Sequence, residues 1–309
     1  MHGVSHDVAA AQTALDHGLA TAERHTSLGM TLFEQREYNA ALACFERALA
    51  LDPQHAAAWN GIGRVRYHTG PPEAAVAAYT QAIAVDPHYI PGYWGLGILY
   101  YAQLGAYDDA LAIFRRGLQA NPGEVDFYDG IGDAYARSGR FDEALAAYRT
   151  AAQHNPEVFV NIGILNLNLG NYEQARADFQ RVIDHHSDQA WNYRLLGFAY
   201  DRLGHNEQAI TALERAVALD PSDYEARGAL ARVYRNAGRE QEAREQLALG
   251  RAQAAFDDEY AQACFEATCG DLDTAVELLR TALAFNQLTP GWARLDPEFV
   301  FLQGYPPYE

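Results

Sequence analysis

His185 and His186, flanked by Asp184 and Asp188, are the densest cluster of metal-capable side chains in the sequence. Neighbouring residues on a helix project about 100° apart, so this pair does not converge on one ion, and no further ligand stands at a useful spacing. The cluster reads as a solvated turn, and no metal or other cofactor is expected. Cys264 and Cys269 lie five apart, on different sides of a helical segment, which forms neither a disulfide nor a ligand pair. Cys44 stands alone. No Ser, His and Asp set can be assembled from the spacing. The 23 basic residues are all arginine, which removes Schiff-base and phosphate-loop lysine chemistry. The expectation is therefore a non-enzymatic protein. A metal-dependent enzyme would rest on His185 and His186 alone.

The remaining composition narrows the partners. The chain has 309 residues, 49% hydrophobic, which is enough for a sizeable core. Against those 23 basic residues stand 41 acidic ones, giving a net charge of −18. Such a surface repels phosphate backbones and anionic lipid, so neither nucleic acid nor membrane is expected as a partner. Three cysteines suit a reducing compartment. The first residues lack a cationic start followed by an apolar run, and no stretch approaches the roughly 20 apolar residues of a membrane span. A soluble, cytoplasmic protein is the expectation.

The elements that carry these residues recur. Small residues repeat at Gly29, Gly63, Gly97, Gly132, Gly163, Gly197, Ala231 and Ala263. A second series runs through Ala41, Ala75, Ala110, Ala144, Ala175, Ala209, Ala243 and Ala275, with a period near the ~34 residues of a helix-turn-helix repeat. Within one unit, Tyr128, Ile131, Gly132 and Tyr135 follow the i, i+3, i+4, i+7 stripe of an amphipathic helix, and Phe141, Ala144, Leu145 and Tyr148 follow it in a second helix. Gly70, Gly105, Gly139, Gly170, Gly204, Gly238 and Gly270 stand where a left-handed residue ends the first helix. Asp52-Pro53, Asp86-Pro87, Asn121-Pro122, Asn155-Pro156 and Asp220-Pro221 stop the second. Phe45, Tyr79, Phe114, Tyr148 and Phe179 are read as core filling the space between units.

This pattern, fullest from Ala58-Trp59 through Ile62-Gly63, Tyr67, Gly70, Ala75, Tyr79, Ala82 and Pro87, resembles the tetratricopeptide repeat family. The resemblance implies an all-α fold, a right-handed α-solenoid superhelix of about eight helix-turn-helix repeats with terminal capping segments. Residues 1–21 are read as an N-terminal capping helix and 22–287 as the array. Its units are 22–55, 56–89, 90–124, 125–155, 156–189, 190–223, 224–255 and 256–287, and 288–309 is a C-terminal capping tail. The segment from Trp292 through Asp296-Pro297 to Phe299 is similar to endings that follow bacterial arrays of this type, and Trp292, Leu295, Phe299 and Leu302 are expected to cover the last helix.

In such an array function belongs to the concave surface lined by the first helices. The groove stripe, offset by one residue from the core stripe, gives Asn60, Arg64 and Tyr67 in unit two and Trp94, Ile98 and Tyr101 in unit three. Asp129 and Asp133 follow in unit four, Asn168 in unit five, Arg194, Phe198 and Arg202 in unit six, and Arg232 in unit seven. The order is aromatic, then acidic, then cationic, which suits an extended peptide of complementary pattern. The carboxylate clamp of chaperone-binding members is absent, since Thr26, Met30, Asn60 and Arg64 occupy its places. The leading expectation is an adaptor or scaffold that binds a peptide or protein segment in this groove. The alternative is a structural scaffold that forms a homo-oligomer through the array ends or the tail.

Two irregularities stand out. Gly97 to Gly105 is one residue longer than Gly63 to Gly70, predicting a bulge or a longer turn. The chain is shortened between Ala144 and Gly163, predicting altered stacking between units four and five.

Overall fold

The structure is a computed structural model that describes residues 21–309 apart from 187, 188, 255–257, 286, 307 and 309, and apart from the side chains of residues 186, 254 and 292. The capping segment expected before residue 21, and the side chains of Trp292 and His186, thus lie outside the described residues. Every regular element among the described residues is helical. In chain order the helices are α1 (Ala22–Glu34), α2 (Tyr38–Leu51), α3 (Ala56–Thr69), α4 (Pro72–Val85), α5 (Ile90–Ile98), α6 (Tyr107–Ala120), α7 (Phe127–Arg137) and α8 (Phe141–Ala152). They continue with α9 (Phe159–Asn168), α10 (Tyr172–His186), α11 (Ala190–Arg202), α12 (Asn206–Leu219), α13 (Tyr224–Asn236), α14 (Glu240–Ala254), α15 (Glu259–Cys269), α16 (Leu272–Ala284) and the short α17 (Pro290–Ala293). A 3-10 segment, Pro297–Leu302, follows. Odd-numbered helices through α15 are the first helices of successive pairs. The chain divides within α7 into two compact units, one ending at Ala134 and the other beginning at Tyr135.

Local chemistry sets the helix ends. Asp52 and Asp86 terminate α2 and α4, and each carboxylate accepts a backbone N–H two residues on, from Gln54 at 3.0 Å and from His88 at 2.9 Å. Proline between them blocks further helix, and the Asx turn re-aims the chain into the next first helix. Six of the seven glycines expected to be left-handed are so, from Gly105 at φ 61° to Gly270 at φ 87°. Gly70 departs from the expectation, with φ −125° and ψ 178°. Pro71 follows it, and the residue before a proline is pushed into the extended region whatever its side chain. In the first pair the left-handed position is held by Arg36 at φ 62°.

The extra residue between Gly97 and Gly105 is absorbed as a π-helical turn, Leu99–Gln103, in which the Leu104 N–H donates to Leu99 O, five residues back, at 3.2 Å. The shortened stretch before Gly163 is taken up by a 3-10 turn, Pro156–Val158, that runs directly into α9.

In the first unit the small residues make room for rings. A Cβ on Gly29 or Gly61 would stand 2.6 or 2.5 Å from Phe45, on Gly63 or Gly95 2.6 or 2.4 Å from Tyr79, and on Gly97 or Gly130 2.4 or 2.6 Å from Phe114. Each aromatic is thus wedged between a glycine of its own pair and one of the next, which locks successive pairs together. Burial of each ring contributes about 1.5–3 kcal/mol. In the second unit Gly163 makes the same accommodation for Phe179, and Gly197 for Leu213.

Candidate functional site

The first unit holds an open cavity of about 630 Å³ on its first-helix face. Asn60, Arg64, Tyr67, Trp94 and Ile98, all selected from the sequence, line it, together with Met30, Phe33, His68, Tyr79, Tyr89, Pro91 and Gly95. Helical spacing explains the convergence. Asn60, Arg64 and Tyr67 form one stripe on α3, and Trp94 and Ile98 the matching stripe on α5. Arg64 stacks over the Phe33 ring at 4.2 Å and bonds Glu34 at 2.9 Å, which fixes the guanidinium at the cavity wall. Trp94 packs its ring against Phe114 and Phe127, at centroid distances of 5.2 and 5.6 Å.

Asn60 is buried, and its Oδ1 has no hydrogen-bond partner. Burial, with Arg64 and Arg36 nearby, lowers the His68 pKa below its ordinary value, so this imidazole is neutral at pH 7. Burial raises the Tyr79 hydroxyl, which stays protonated. Tyr101, Asp129 and Asp133 take other positions. Tyr101 lies in the π-helical turn, is buried, and donates to Asp133 at 3.1 Å, while Asp129 sits half-buried on α7.

The first-helix face of the second unit is occupied by the chain itself. Residues 295–303 lie across α9, α11, α13 and α15, and Asp296 through Leu302 are all buried. Asn168 donates to Leu295 O at 2.9 Å, and Gln303 Nε2 returns a bond to Asn168 O at 2.7 Å. Glu298 pairs with Arg194 at 3.3 Å, and Tyr260 donates to Asp296. Phe301 meets Phe198 edge-on at 5.2 Å, with the Arg232 guanidinium 3.7 Å above its ring. Of the cover expected over the last helix, Phe299 and Leu302 pack with Ala263, Cys264, Ala267, Val276 and Leu279, whereas Leu295 is outside that cluster and gives its carbonyl to Asn168. Val300 and Phe301 turn the other way, into a cluster with Leu195, Phe198 and Leu230.

Arg194, Phe198, Arg232 and Asn168, read from the sequence as groove residues, are therefore the residues that hold the tail. Arg194 also pairs with Asp223 and Glu225, and Arg232 with Asp201. Arg202 bonds the Tyr172 hydroxyl at 2.6 Å and lies over its ring. One guanidinium thus faces several carboxylates in a buried setting. Burial pushes the Glu225 pKa up to about 7 against the pull of Arg194, and burial with Asp296 beside it raises Glu298 well above the usual carboxylate range. Burial also raises Cys264 and Cys269, leaving both as inert thiols. Among the described residues no three His, Cys, Asp or Glu side chains come together as a metal site.

Helices packed in consecutive pairs along the chain define a helical repeat protein. Tetratricopeptide repeat models match residues 26–90 and 72–125, 101–161 and 202–264, and 155–222, and the chain belongs to that family. The Protein CTR9 homolog of Arabidopsis thaliana is 31% identical over 68 residues, 22% of this chain and 6% of that protein, so this chain spans a small part of its length. A chain of the APC/C hetero-tetramer Cut9-Hcn1 superposes with a TM-score of 0.58 at 19% identity, over 91% of this chain and 52% of that one. PilW, a type IV pilus biogenesis factor, gives 0.55 at 20% identity, over 65% and 94%. A tetratricopeptide repeat protein from Parabacteroides merdae gives 0.57 at 18%, over 80% and 92%. At these identities the structural likenesses show the fold. No helix among the described residues is long and apolar enough to cross a membrane.

Proposed function

We propose that the protein is a non-enzymatic adaptor whose first unit receives a segment of a partner protein along Asn60, Arg64, Tyr67, Trp94 and Ile98. The observation that carries this reading is the second unit, where Arg194, Phe198 and Arg232, at the same register on their own first helices, hold the 3-10 segment Pro297–Leu302. A surface of this kind suits a peptide, and in the first unit it lines an open cavity. Cytoplasmic location fits the composition and the buried thiols.

The test is affinity capture with the full chain beside a Tyr67→Ala, Trp94→Ala variant of unchanged helicity. A partner held by the wild type and lost by the variant is expected. A partner held equally by both would remove the groove from the binding site. The second reading, self-assembly, has its own motivating observation in the tail, because a segment docked this way could dock on another copy. Light scattering across a dilution series would expose it, and a mass that stays monomeric throughout would end it.

A further inference from the structure

We infer that the first-unit cavity selects an acidic, aromatic segment, one that inserts a Phe-like ring between Arg64 and Ile98, bonds Asn60 through a backbone N–H and carries no basic residue beside the ring. The inference rests on the groove reading above and adds the chemistry of the ligand.

Three observations converge on it. The first is register. In the second unit Phe301 lies between Phe198 and Arg232, an apolar side chain and a cation contributed by the same helical position in consecutive first helices. In the first unit that position carries Arg64 and Ile98, the same two kinds of side chain in reverse order, and both line the cavity. A ring placed there meets a guanidinium on one side and a hydrocarbon wall on the other.

The second is polar satisfaction. Asn60 stands where Arg194 stands in its own helix. Arg194 binds a carboxylate, but Asn60 presents a buried Oδ1 without a partner, which calls for a donor. An extended backbone supplies one in its N–H.

The third is charge. In a chain with 41 acidic residues, none of the described residues lining this cavity is Asp or Glu, and Arg64 is the cation in its wall. Arginine or lysine beside the ring would meet like charge with no carboxylate in the lining, since Glu34, the partner of Arg64, stands outside it and is 67% exposed, whereas an acidic neighbour meets attraction.

The probe is a fluorescein-labelled peptide with the sequence of residues 294–304, added to the full chain and followed by anisotropy. In the full chain the corresponding positions of the second unit, Arg194, Phe198 and Arg232, are already covered by Glu298 and Phe301. Saturable binding is expected, weakened at least about tenfold by Asn60→Ala, by Arg64→Glu and by replacing both phenylalanines of the peptide with alanine. Replacing its two acidic residues with arginine should weaken it comparably. Circular dichroism checks that the variants fold. Arg64→Glu changes a partly exposed side chain, so it keeps the test sharp if Asn60→Ala is destabilised.

Absence of saturable binding overturns the inference, and so does tighter binding of the arginine peptide. Binding indifferent to Asn60 and Arg64 but strengthened by Asn168→Ala would mean that the peptide displaces the chain's own tail, which also overturns it. In each case partner capture that depends on Tyr67 and Trp94 would leave the groove reading standing, so the two failures are distinguishable.

Discussion

The two units carry the same stripe of first-helix positions, and in one these positions line a cavity of about 630 Å³, while in the other Arg194, Phe198 and Arg232 lie under the chain's own tail, beside a smaller cavity of about 450 Å³ at Asn168 and Gln303. In the first, Asn60, Arg64, Trp94 and Ile98 border the larger cavity, which none of the described residues covers. In the second, Arg194, Phe198 and Arg232 are covered by Glu298 and Phe301. Charge read along the stripe therefore does not measure charge on offer to a partner. The C-terminal arginines look like a cationic surface in the sequence, yet each described contact ties them to an acid, a ring or a carbonyl of the same unit. Arg64 is tied as well, to Glu34 and Phe33, but its cavity remains accessible.

Removing the ring that the tail places against Phe198 and Arg232 should weaken the second unit most. Phe301→Ala removes a ring 7% exposed and should destabilise the second unit by about 3–5 kcal/mol. Urea unfolding would show the loss. An effect below about 1 kcal/mol would mean that the tail rests on the groove without being part of its core.

Next in size is the wedge of the first unit. Gly95→Ala places a Cβ 2.4 Å from Tyr79 and should cost about 1–3 kcal/mol, whereas Gly139→Ala meets no atom within 4 Å and loses only the left-handed preference at φ 80°, about 1 kcal/mol. Thermal melts of the two variants should preserve that order.

The pH response follows in size. Glu225, raised from 4.5 to about 7, and Glu298, also raised, take up protons when the tail docks. The stability this gives is therefore present at low pH and lost as pH climbs from about 4.5 through about 7. Urea midpoints of the second unit should fall from pH 5 to pH 8, and Glu225→Gln should flatten the slope. Midpoints that rise over this window would contradict the assignment.

The smallest effect is Glu34→Ala. Its carboxylate is 67% exposed, so removing its bond to Arg64 should change stability by less than about 1 kcal/mol. The same change should sharpen the preference of the cavity for an acidic probe.

Much of the architecture is legible in the residues because its causes are local. The turn glycines, the Asp-Pro stops and the two helical stripes act within one unit, and the single extra residue after Gly97 announced the π-helical turn. Gly70 was misleading because its neighbour Pro71 overrides the glycine. Asn60, Arg64, Tyr67, Trp94 and Ile98 could be chosen because register alone puts them on one face. Phe33 and Tyr89 were missed as cavity residues because they stand at the helix end and in the inter-helix turn, off that stripe.

The route of the tail was not legible for a different reason. Its 3-10 geometry turns successive side chains about 120° apart, so Phe299 and Leu302 share one face and Phe301 takes another. Which surface receives the second face depends on partners such as Asn168, 127 and 135 residues away from the tail atoms it bonds, a distance over which no local pattern speaks.

Those long separations bear on how the molecule assembles. A repeat array is held by nearest-neighbour contacts, so its pairs form early and its last pair frays independently. Bonds from Leu295 and Gln303 back to Asn168 close a loop of well over a hundred residues, whose entropy can be recovered only after the intervening pairs stand in place. The tail therefore docks late, and once docked it joins helices that would otherwise open one by one into a single cooperative block.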